Sequence, residues 1–332
     1  MRYIGSKIST INNIYELVSR QIPIGSFCDP FGGLGSVASH FKSMGYDVWS
    51  GDILKFPFLF QKARLKYEKP LSFKKIINKL NLNNLTDLET FMNSLPPKNG
   101  WFVREYSENR QYFTNYNAKK IQSCRRAIAF WSAKGWINGE EKAVMLASLI
   151  NSLDKVANTA GTYYAFLKKW HRKALNQFRF QFIMPASLNG KGHCFNETAE
   201  ELVKRRDFDI LYLDPPYNQR SYGHYYHLPE TIALEGTPVV HGQSGIPIKI
   251  NTKSKFNNKI ESKQALLDVL NNAKFKLLVF HYADNGIIPS KNIEEILSPF
   301  GKINDFIIDC KGYRTKISPI KTRHHLYIVK NG

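Results

Sequence analysis

The tetrapeptide Asp214-Pro215-Pro216-Tyr217 follows an apolar run that is typical of a buried strand. Two consecutive prolines cannot continue a hydrogen-bonded ladder, so the chain must leave the sheet here in a stiff, extended conformation. Asp214 and the Pro215 carbonyl offer two acceptors for the N–H groups of an exocyclic amine, and Tyr217 offers a flat face for stacking. The tetrapeptide therefore predicts a site for an amino-bearing nucleobase, with a plain strand-ending turn as the alternative.

A second stretch that could bind a ligand is the glycine-rich sequence DPFGGLGSV at residues 29–37. Its glycines, Gly32, Gly33 and Gly35, let a ligand approach the backbone closely, and a helix N-terminus follows them. Their spacing differs from GxGxxG, so a nicotinamide dinucleotide is disfavoured. Asp52 closes the next predicted strand, where a carboxylate can accept hydrogen bonds from ribose hydroxyls. The loop and the acid together favour an adenosine-containing cofactor, although alone each resembles an ordinary turn or helix cap.

The charge balance points to a polyanionic partner. Lys and Arg number 47 against 27 Asp and Glu, which gives a formal net charge of +20, and aromatic residues make up 13% of the chain. Phosphates and stackable bases match this composition. A basic protein without a nucleic-acid partner is the alternative.

The cysteines indicate neither a zinc site nor a disulfide framework, because Cys28, Cys124, Cys194 and Cys310 lie far apart and form no CxxC pair. The histidines show no metal-site spacing either, so we expect no metal. No apolar run approaches the roughly 18 residues of a membrane span, and the N-terminus MRYIGSKIST lacks the apolar core of a signal peptide. We expect a cytoplasmic protein with no membrane partner.

The elements that must position these residues begin with a βαβ unit. Residues 24–31 and 47–53 are predicted strands flanking a helix, which predicts a parallel sheet with a ligand at the carboxyl ends of its strands. Helical periodicity follows over residues 59–184, with segments near 118–134, 139–156 and 161–178. Strand patterns resume at 192–197, 208–214, 275–282, 302–310 and 325–330. Residues 217–259 show little periodicity and are predicted to form a long functional loop.

The motifs YIGSK (3–7), DPFGGLGSV (29–37), Asp52 and DPPY (214–217), in this order, resemble those of the D12-class DNA adenine-N6 methyltransferases, the Dam- and FokI-methylase-like enzymes. The resemblance extends through residues 112–121, 158–170, 217–233 and 285–297, so it covers most of the chain. It is nearest to the methyltransferases of restriction-modification systems.

The resemblance implies a Rossmann-like α/β fold that uses S-adenosylmethionine, with a mostly parallel sheet, a C-terminal antiparallel hairpin and a helical insertion. The catalytic domain would comprise residues 1–58 and 185–332. Residues 59–184 would form the insertion and recognise DNA.

The resemblance also implies roles for particular residues, with Lys7 near the methionine carboxylate of the cofactor. The implied cofactor-binding residues are Tyr3, Lys7, Asp29, Pro30, Phe31, Gly32, Gly33, Gly35, Ser36, Asp52, Ile53 and Asp214. The implied catalytic residues are Asp214, Pro215, Pro216 and Tyr217. The expected DNA contacts are Lys119, Lys120, Arg125, Arg126, Arg220, Tyr222, Lys249 and Lys253. Many relatives have Asp where Thr198 stands here, and Glu197 is the candidate substitute.

The expected reaction is direct transfer of a methyl group from S-adenosylmethionine to adenine N6 in a specific double-stranded DNA sequence, after base flipping. The expected partners are double-stranded DNA and a cognate restriction endonuclease. Carbon-5 cytosine methylation is disfavoured because it typically uses a cysteine preceded by proline, and none of the four cysteines has one. Cytosine-N4 methylation, RNA adenine methylation and a catalytically silent binding subunit stay open as alternatives.

Overall fold

The computed structural model describes residues 1–185, 189–250, 254–314 and 319–331. The chain forms two compact units. The first, which we call the helical unit, comprises Met1–Ile4, Leu54–Pro185 and Tyr222–Thr252. The second, which we call the sheet unit, comprises Gly5–Ile53, Ala186–Ser221 and Lys253–Gly332. The predicted insertion, residues 59–184, falls within the helical unit, and its assignment to DNA recognition stays a prediction.

The sheet unit is built on seven strands. These are β1 (Ser26–Asp29), β2 (Asp47–Gly51), β3 (Lys191–Phe195), β4 (Phe208–Leu213), β5 (Phe275–Ala283), β6 (Lys302–Arg314) and β7 (Pro319–Lys330). They lie in the order β3-β2-β1-β4-β5-β7-β6. The first five strands pair in parallel, whereas β7 is antiparallel to both β5 and β6. The predicted Rossmann-like fold with a C-terminal antiparallel hairpin is confirmed.

The strand order reverses direction at β1, which has β2 on one side and β4 on the other. Cys28 of β1 pairs in register with Leu211 of β4. Ligands of open α/β sheets bind outside the carboxyl ends of the strands at such a reversal. Asp29 ends β1 and Asp214 immediately follows β4, so both belong to this edge of the sheet.

Adjacent residues of a strand point to opposite faces of the sheet. Apolar residues lie on both faces here, so helices pack on both. Phe27 stacks on Phe41 of the helix Ser36–Ser43, with ring centroids 3.9 Å apart. Its neighbour Cys28 joins the core on the other face, to which the helices Ser262–Asn272 and Ser290–Leu297 contribute apolar side chains. The helices Ile11–Ser19 and Ala199–Leu202 and short 3-10 turns at Lys255–Asn257 and Ser298–Phe300 complete the unit.

The helical unit contains two long helices, which confirm the helices predicted near 118–134 and 139–156. Asn115–Ala133 begins after Thr114, whose side chain accepts from the Asn117 N–H, and Gly139–Asp154 begins after a capping box formed by Asn138 and Glu141. The shorter helices are Lys55–Gln61, Lys74–Lys79, Leu85–Ser94, Trp101–Val103, Tyr222–Tyr225 and His227–Ala233, with π-helical turns at Lys62–Lys66 and Arg104–Glu108. Across the described ranges, every helix is too short or too polar to cross a membrane.

The helix predicted near 161–178 is wrong, because this segment has an irregular path with only a 3-10 turn at Arg172–Leu175. Buried Asn158 organises the segment instead. Its side-chain amide donates to the carbonyls of Gln111 (3.0 Å) and Leu167 (2.9 Å), and its side-chain oxygen accepts from the His171 N–H (2.9 Å). These tertiary hydrogen bonds replace the local ones that a helix would have formed.

The long loop predicted over 217–259 is also partly wrong, since Tyr222–Tyr225 and His227–Ala233 are helical. The second helix is buried along its whole length. Its Glu230 accepts hydrogen bonds from the N–H groups of Lys55 (2.8 Å) and Phe56 (2.9 Å) at the start of another helix. Because this contact joins residues distant in sequence, the local sequence of residues 222–233 did not indicate a helix.

Replacing Asn158 with alanine tests the role of this residue in the helical unit. Asn158→Ala leaves two carbonyls and one N–H group without their hydrogen-bond partner. We therefore expect the free energy of unfolding to fall by about 2–4 kcal/mol. Urea denaturation monitored by circular dichroism measures this loss. Asn176→Ala, at an exposed position of the same segment, is the matched control and should change the free energy of unfolding by less than about 0.5 kcal/mol. Equal stability of the two variants would contradict the role given to Asn158.

Candidate active site

The tetrapeptide Asp214 to Tyr217 leaves the carboxyl end of β4 and is fixed by the sheet unit. The Ile287 N–H donates to the Tyr217 carbonyl (3.0 Å), and the Tyr217 ring packs edge-to-face against Tyr282 and His324, with centroids 6.2 and 5.5 Å away. The Pro215 carbonyl forms no hydrogen bond with any described residue. The tetrapeptide thus combines a held ring with an available backbone acceptor.

Lys7 forms a buried ion pair with Asp214. Its ammonium nitrogen lies 2.6 and 2.7 Å from the two carboxylate oxygens, and the side chains of Lys7 and Asp214 are 5% and 15% exposed. The same nitrogen donates to the Gly5 carbonyl (3.1 Å) and lies 5.9 Å from the centroid of the Tyr217 ring. The resemblance had implied a role for Lys7 near the methionine carboxylate. The pairing with Asp214 was not predicted, because nothing local in the sequence links residues so far apart.

Two buried carboxyl groups influence one another at this edge of the sheet. Burial raises the pKa of Asp214, and the Lys7 ammonium opposes that rise. Burial also raises the pKa of Asp29 well above its ordinary value, and the negative charge of Asp214 raises it further. One oxygen of Asp29 is buried without a hydrogen-bond partner among the described residues. The edge therefore holds more acceptor capacity than the protein itself satisfies.

The glycine-rich loop follows Asp29 and turns sharply into the next helix. Gly33 and Gly35 have φ values of 49° and 76°, a left-handed conformation that glycine adopts without steric cost. The Gly32 N–H donates to the Gly51 carbonyl (2.9 Å), and the Gly35 N–H donates to the Gly32 carbonyl (2.8 Å). These bonds hold the loop beside the carboxyl end of β2, and Ser36 begins the helix.

Asp52 and Ile53 follow β2 at the same edge. The Asp52 N–H donates to the Phe195 carbonyl (3.2 Å), and the Asn196 side chain donates to the carbonyls of Asp52 (2.9 Å) and Ile53 (3.2 Å). Asp52 is half-buried and Ile53 is 44% exposed. The charge of Asp52 also raises the pKa of Asp29, so the carboxyl groups at the ends of β1, β2 and β4 act on one another.

This acidic edge suits a ligand that brings positive charge and hydroxyl donors. The edge holds three carboxyl groups, those of Asp29, Asp52 and Asp214. The positive charge of Lys7 opposes the rise in the pKa of Asp29 and of Asp214. An adenosine group with ribose hydroxyls and a cationic tail would satisfy the unpaired oxygen of Asp29 and could lie against the glycine backbone. Asp29, Asp52 and the glycine backbone therefore fit S-adenosylmethionine, and the cofactor contacts implied for Pro30, Phe31, Ser36 and Ile53 stay predictions.

Sequence reasoning missed a buried hydrogen-bonded series behind the Tyr217 ring. The Tyr212 hydroxyl lies 3.1 Å from His281 Nδ1, and His281 Nε2 lies 3.1 Å from His324 Nδ1. Burial lowers the pKa of His281 well below its ordinary value and lowers the pKa of His324 to about 4. Both rings are therefore neutral near pH 7. His281 stands inside the apolar run FKLLVFHY, which was the one available signal that it is buried.

Tyr3 and Tyr222 lie together in the helical unit. The Tyr3 ring stacks on Tyr226 with centroids 5.0 Å apart and lies 5.6 Å from the Tyr222 ring. The Ile4 N–H donates to the Tyr226 hydroxyl (2.8 Å), which fixes the N-terminal segment. The roles predicted for Tyr3 in cofactor binding and for Tyr222 in DNA binding stay predictions.

The expected contact of Lys120 with DNA is corrected by the structure. Lys120 is buried, and its ammonium donates to the carbonyls of Asn93 (2.7 Å) and Leu95 (2.5 Å), so it is not available to a phosphate. Its neighbour Arg125 is also engaged internally, because it donates to the Gly236 carbonyl (2.9 Å). The helix face on which a charge lies decides its role, and the cluster AKKIQSCRR spans several faces.

The other expected DNA contacts differ in exposure. Lys119 is half-buried, whereas Arg126, Arg220 and Lys249 are exposed. Lys253 lies outside the described residues.

Glu197 and Thr198, the positions considered for a cofactor carboxylate, have structural partners. Glu197 forms a two-pronged ion pair with Arg205, with both oxygens 2.6 Å from guanidinium nitrogens. Thr198 caps the helix Ala199–Leu202 by accepting from the Glu201 N–H. No group of three or more His, Cys, Asp or Glu residues with the geometry of a metal site occurs in the described part of the chain.

A sequence-family model described as D12 class N6 adenine-specific DNA methyltransferase matches residues 3–296. The chain is 32% identical to the type II methyltransferase M.FokI of Planomicrobium okeanokoites over 98% of this chain and 50% of that protein. It is 33% identical to the modification methylase StsI of Streptococcus sanguinis over 94% of this chain and 48% of that protein. It is 30% identical to the type II methyltransferase M.NlaIII of Neisseria lactamica over 98% of this chain and 95% of that protein.

The chain thus spans about half the length of M.FokI and StsI and nearly the whole length of M.NlaIII. Among solved structures, a magnesium protoporphyrin IX methyltransferase from Synechocystis PCC 6803 matches with a TM-score of 0.36 and 10% identity over 97% of this chain and 79% of that one. This likeness is slight, and the fold assignment rests on the strand order given above.

Removing the Lys7 cation should raise the pKa of Asp214. Lys7→Met leaves the carboxyl group buried without the charge that favours ionisation, so Asp214 should hold its proton to a higher pH than in the wild type. The pKa of Asp214 is already raised above its unfolded value, so this group lowers the free energy of unfolding as pH rises from the unfolded pKa to the folded pKa. In Lys7→Met that window should extend to higher pH.

Carbon-13 NMR titration of labelled aspartate carboxyl groups, assigned with Asp214→Asn, measures this change. Lys276→Met is the matched control because the exposed Lys276 pairs with Asp209, at the end of β4 opposite to Asp214. It should leave the titration of Asp214 unchanged. A fall in the pKa of Asp214 in Lys7→Met, or no change, would contradict the electrostatic role of the pair.

Proposed function

Because the chain belongs to the D12 class N6 adenine-specific DNA methyltransferases, we propose that it transfers a methyl group from S-adenosylmethionine to N6 of adenine in a specific double-stranded DNA sequence. The match to the family model confirms the family resemblance drawn from the motifs. The observation that carries the proposed activity is the Lys7-paired carboxylate of Asp214 beside the Pro215 carbonyl at the end of β4. Two acceptors and the Tyr217 ring match an amino-bearing base.

In this proposal the cofactor binds at the carboxyl ends of β1 and β2. The backbone of Gly32, Gly33 and Gly35 would lie against it, Asp52 would accept from its ribose hydroxyls, and Asp29 would supply a further acceptor. S-adenosylmethionine supplies an activated methyl group, so the protein needs no covalent intermediate. The unpaired buried oxygen of Asp29 and the acidic character of the edge support this arrangement.

The protein contributes mainly orientation of the adenine amine. Asp214 and the Pro215 carbonyl each accept one N–H of the amine, which aims the nitrogen lone pair at the methyl carbon while Tyr217 stacks on the ring. Lys7 favours the ionised form of Asp214, which must accept rather than donate. As the N–C bond formed, the sulfur–methyl bond of S-adenosylmethionine would break and S-adenosylhomocysteine would be the leaving group. The amine nitrogen would then carry positive charge and would release one proton to an oxygen of Asp214.

The amine of a paired adenine lies inside the duplex, so the base must leave the helical stack to reach these acceptors. Lys119, Arg126, Arg220 and Lys249 are the cations proposed to contact phosphates, and Tyr222 is proposed to contact DNA. The relatives named modification methylase support a role in a restriction-modification system with a cognate endonuclease for the same sequence. Cellular DNA as substrate would place the protein in the cytoplasm.

Loss of the Asp214 carboxylate should abolish methyl transfer. Asp214→Ala removes one of the two acceptors that orient the amine, so we expect the rate to fall at least about 100-fold while the fold is kept. The assay uses labelled S-adenosylmethionine and DNA, followed by nucleoside analysis, which also separates N6-methyladenine from N4-methylcytosine. Asp207→Ala, at the exposed start of the same strand, is the control and should keep wild-type activity. Near wild-type transfer by Asp214→Ala would refute the catalytic assignment.

Loss of the Asp52 carboxylate should weaken cofactor binding. Asp52→Ala removes the acceptor proposed for the ribose hydroxyls, which should cost roughly 1–3 kcal/mol and raise the Kd for S-adenosylmethionine about 5- to 150-fold. Calorimetry without DNA measures this directly. Asp47→Ala, at the opposite end of β2, should leave the Kd unchanged. An unchanged Kd in Asp52→Ala would place the ribose elsewhere.

A further inference from the structure

A small β-hairpin in the helical unit has an unusual mode of support. Val240–His241 pairs antiparallel with Ile246–Pro247, and we call residues 238–249 the tethered hairpin. Strands of two residues cannot hold a hairpin together alone, because an isolated two-stranded hairpin is at best marginally stable. Its conformation must come from contacts with the rest of the unit.

Those contacts run from side chains of residues 101–125 to backbone carbonyls in and beside the hairpin. The donors and the residues whose carbonyls accept are Trp101 to Pro238 (3.2 Å), Tyr106 to Gly245 (3.1 Å), Arg110 to Gly242 (3.0 Å), Tyr112 to Ser244 (3.0 Å) and Arg125 to Gly236 (2.9 Å). Five donors thus fix the backbone, while none of these bonds uses a hairpin side chain. The Ser244 hydroxyl adds a bond to the Tyr164 carbonyl.

Several side chains of the hairpin are exposed, whereas Pro247 is buried. Val239 and Ile248 are 72% and 61% exposed and stand opposite each other, since the Ile248 N–H donates to the Val239 carbonyl (3.1 Å). His241 and Gln243 are exposed near the turn. Neither of these two side chains makes a hydrogen bond to any residue that the structure describes. A rigid element presents polar groups that the protein itself does not use.

The chemistry of this surface fits the major groove of DNA. A two-stranded ribbon fits that groove, a glutamine amide can bond the N6 and N7 edge of adenine in two places, and apolar side chains contact the thymine methyl group. An imidazole can donate to the N7 or O6 acceptors of guanine. The sequence contains no Asp or Glu from Gly236 to Ile260 but contains four lysines, so this stretch attracts phosphates rather than repelling them.

We infer that the tethered hairpin reads base pairs in the major groove, with Gln243 and His241 as specificity-determining side chains. The inference rests on the proposed function and adds where sequence recognition occurs. The tethers carry the argument, because a backbone fixed before binding loses little conformational entropy on binding and holds a reading side chain in a defined position. Cations alone would give affinity for any sequence, whereas two uncommitted polar side chains at the tip can distinguish one base pair from another.

The wild-type protein, Gln243→Ala and His241→Ala are expressed in a bacterial host that lacks adenine methylation. The sequence context of each methylated adenine is then mapped. We expect at least one variant to lose discrimination at one position of the recognition sequence by roughly 5- to 150-fold, the usual range for a lost two-point base contact. Affinity for S-adenosylmethionine should stay at the wild-type value. Gln21→Ala, an exposed glutamine of the sheet unit, is the matched control and should keep the wild-type context.

A variant with too little activity for mapping is tested by fluorescence anisotropy with the wild-type recognition duplex and a scrambled duplex. A fall in the ratio of the two affinities supports the inference. An unchanged methylation context in both variants, or an unchanged affinity ratio, overturns it and leaves the proposed methyl transfer intact. Wild-type protein that leaves all adenines unmodified overturns the proposed function itself, so the two failures are distinct.

Discussion

Lys7 holds a buried ammonium 2.6 Å from Asp214 at an edge where burial and neighbouring carboxyl groups disfavour further negative charge. Without this cation, Asp214 would tend to keep its proton and would donate a hydrogen bond where an amine requires an acceptor. Removing Asp214 instead would leave the buried Lys7 ammonium without its counter-ion, which is unfavourable. The pair therefore links the N-terminal segment to the end of β4 and sets the chemical character of the proposed site.

The topology of the sheet explains how residues so distant in sequence reach one edge. β1, β2 and β4 run parallel and side by side, so the residues at their carboxyl ends, Asp29, Asp52 and Asp214, must converge. This part of the site was predictable, because apolar runs ending in Asp identify strand ends. The partner of Asp214 was not predictable, because Lys7 lies in an irregular segment before the first helix and its direction is set only by tertiary packing.

The same division separates the correct helix predictions from the wrong ones. The helices that contain Lys120 and Glu141 have local caps and periodic apolar faces, and both were predicted. The segment after Asn158 has helix-like spacing but takes its hydrogen bonds from distant carbonyls, so local periodicity misled. Glu230 lies in a helix that is buried on all sides and caps another helix. A helix of this kind has no alternation of apolar and polar faces, so its sequence lacks helical periodicity. Lys120 shows the same limit for charge, since sequence gives its sign but not the face on which it lies.

A net charge of +20 is therefore a poor guide to any single site in this protein. The strand ends of the sheet unit gather carboxyl groups, which suit a cationic cofactor, although the chain as a whole is strongly basic. Acidic residues are absent from Lys155 to Asn196 and again from Gly236 to Ile260. Because a ligand responds to the charges within about a Debye length, roughly 8–10 Å at physiological salt, the local sign of the potential matters more than the total. The segregation of charge along the chain allows one protein to attract both a cation and a polyanion.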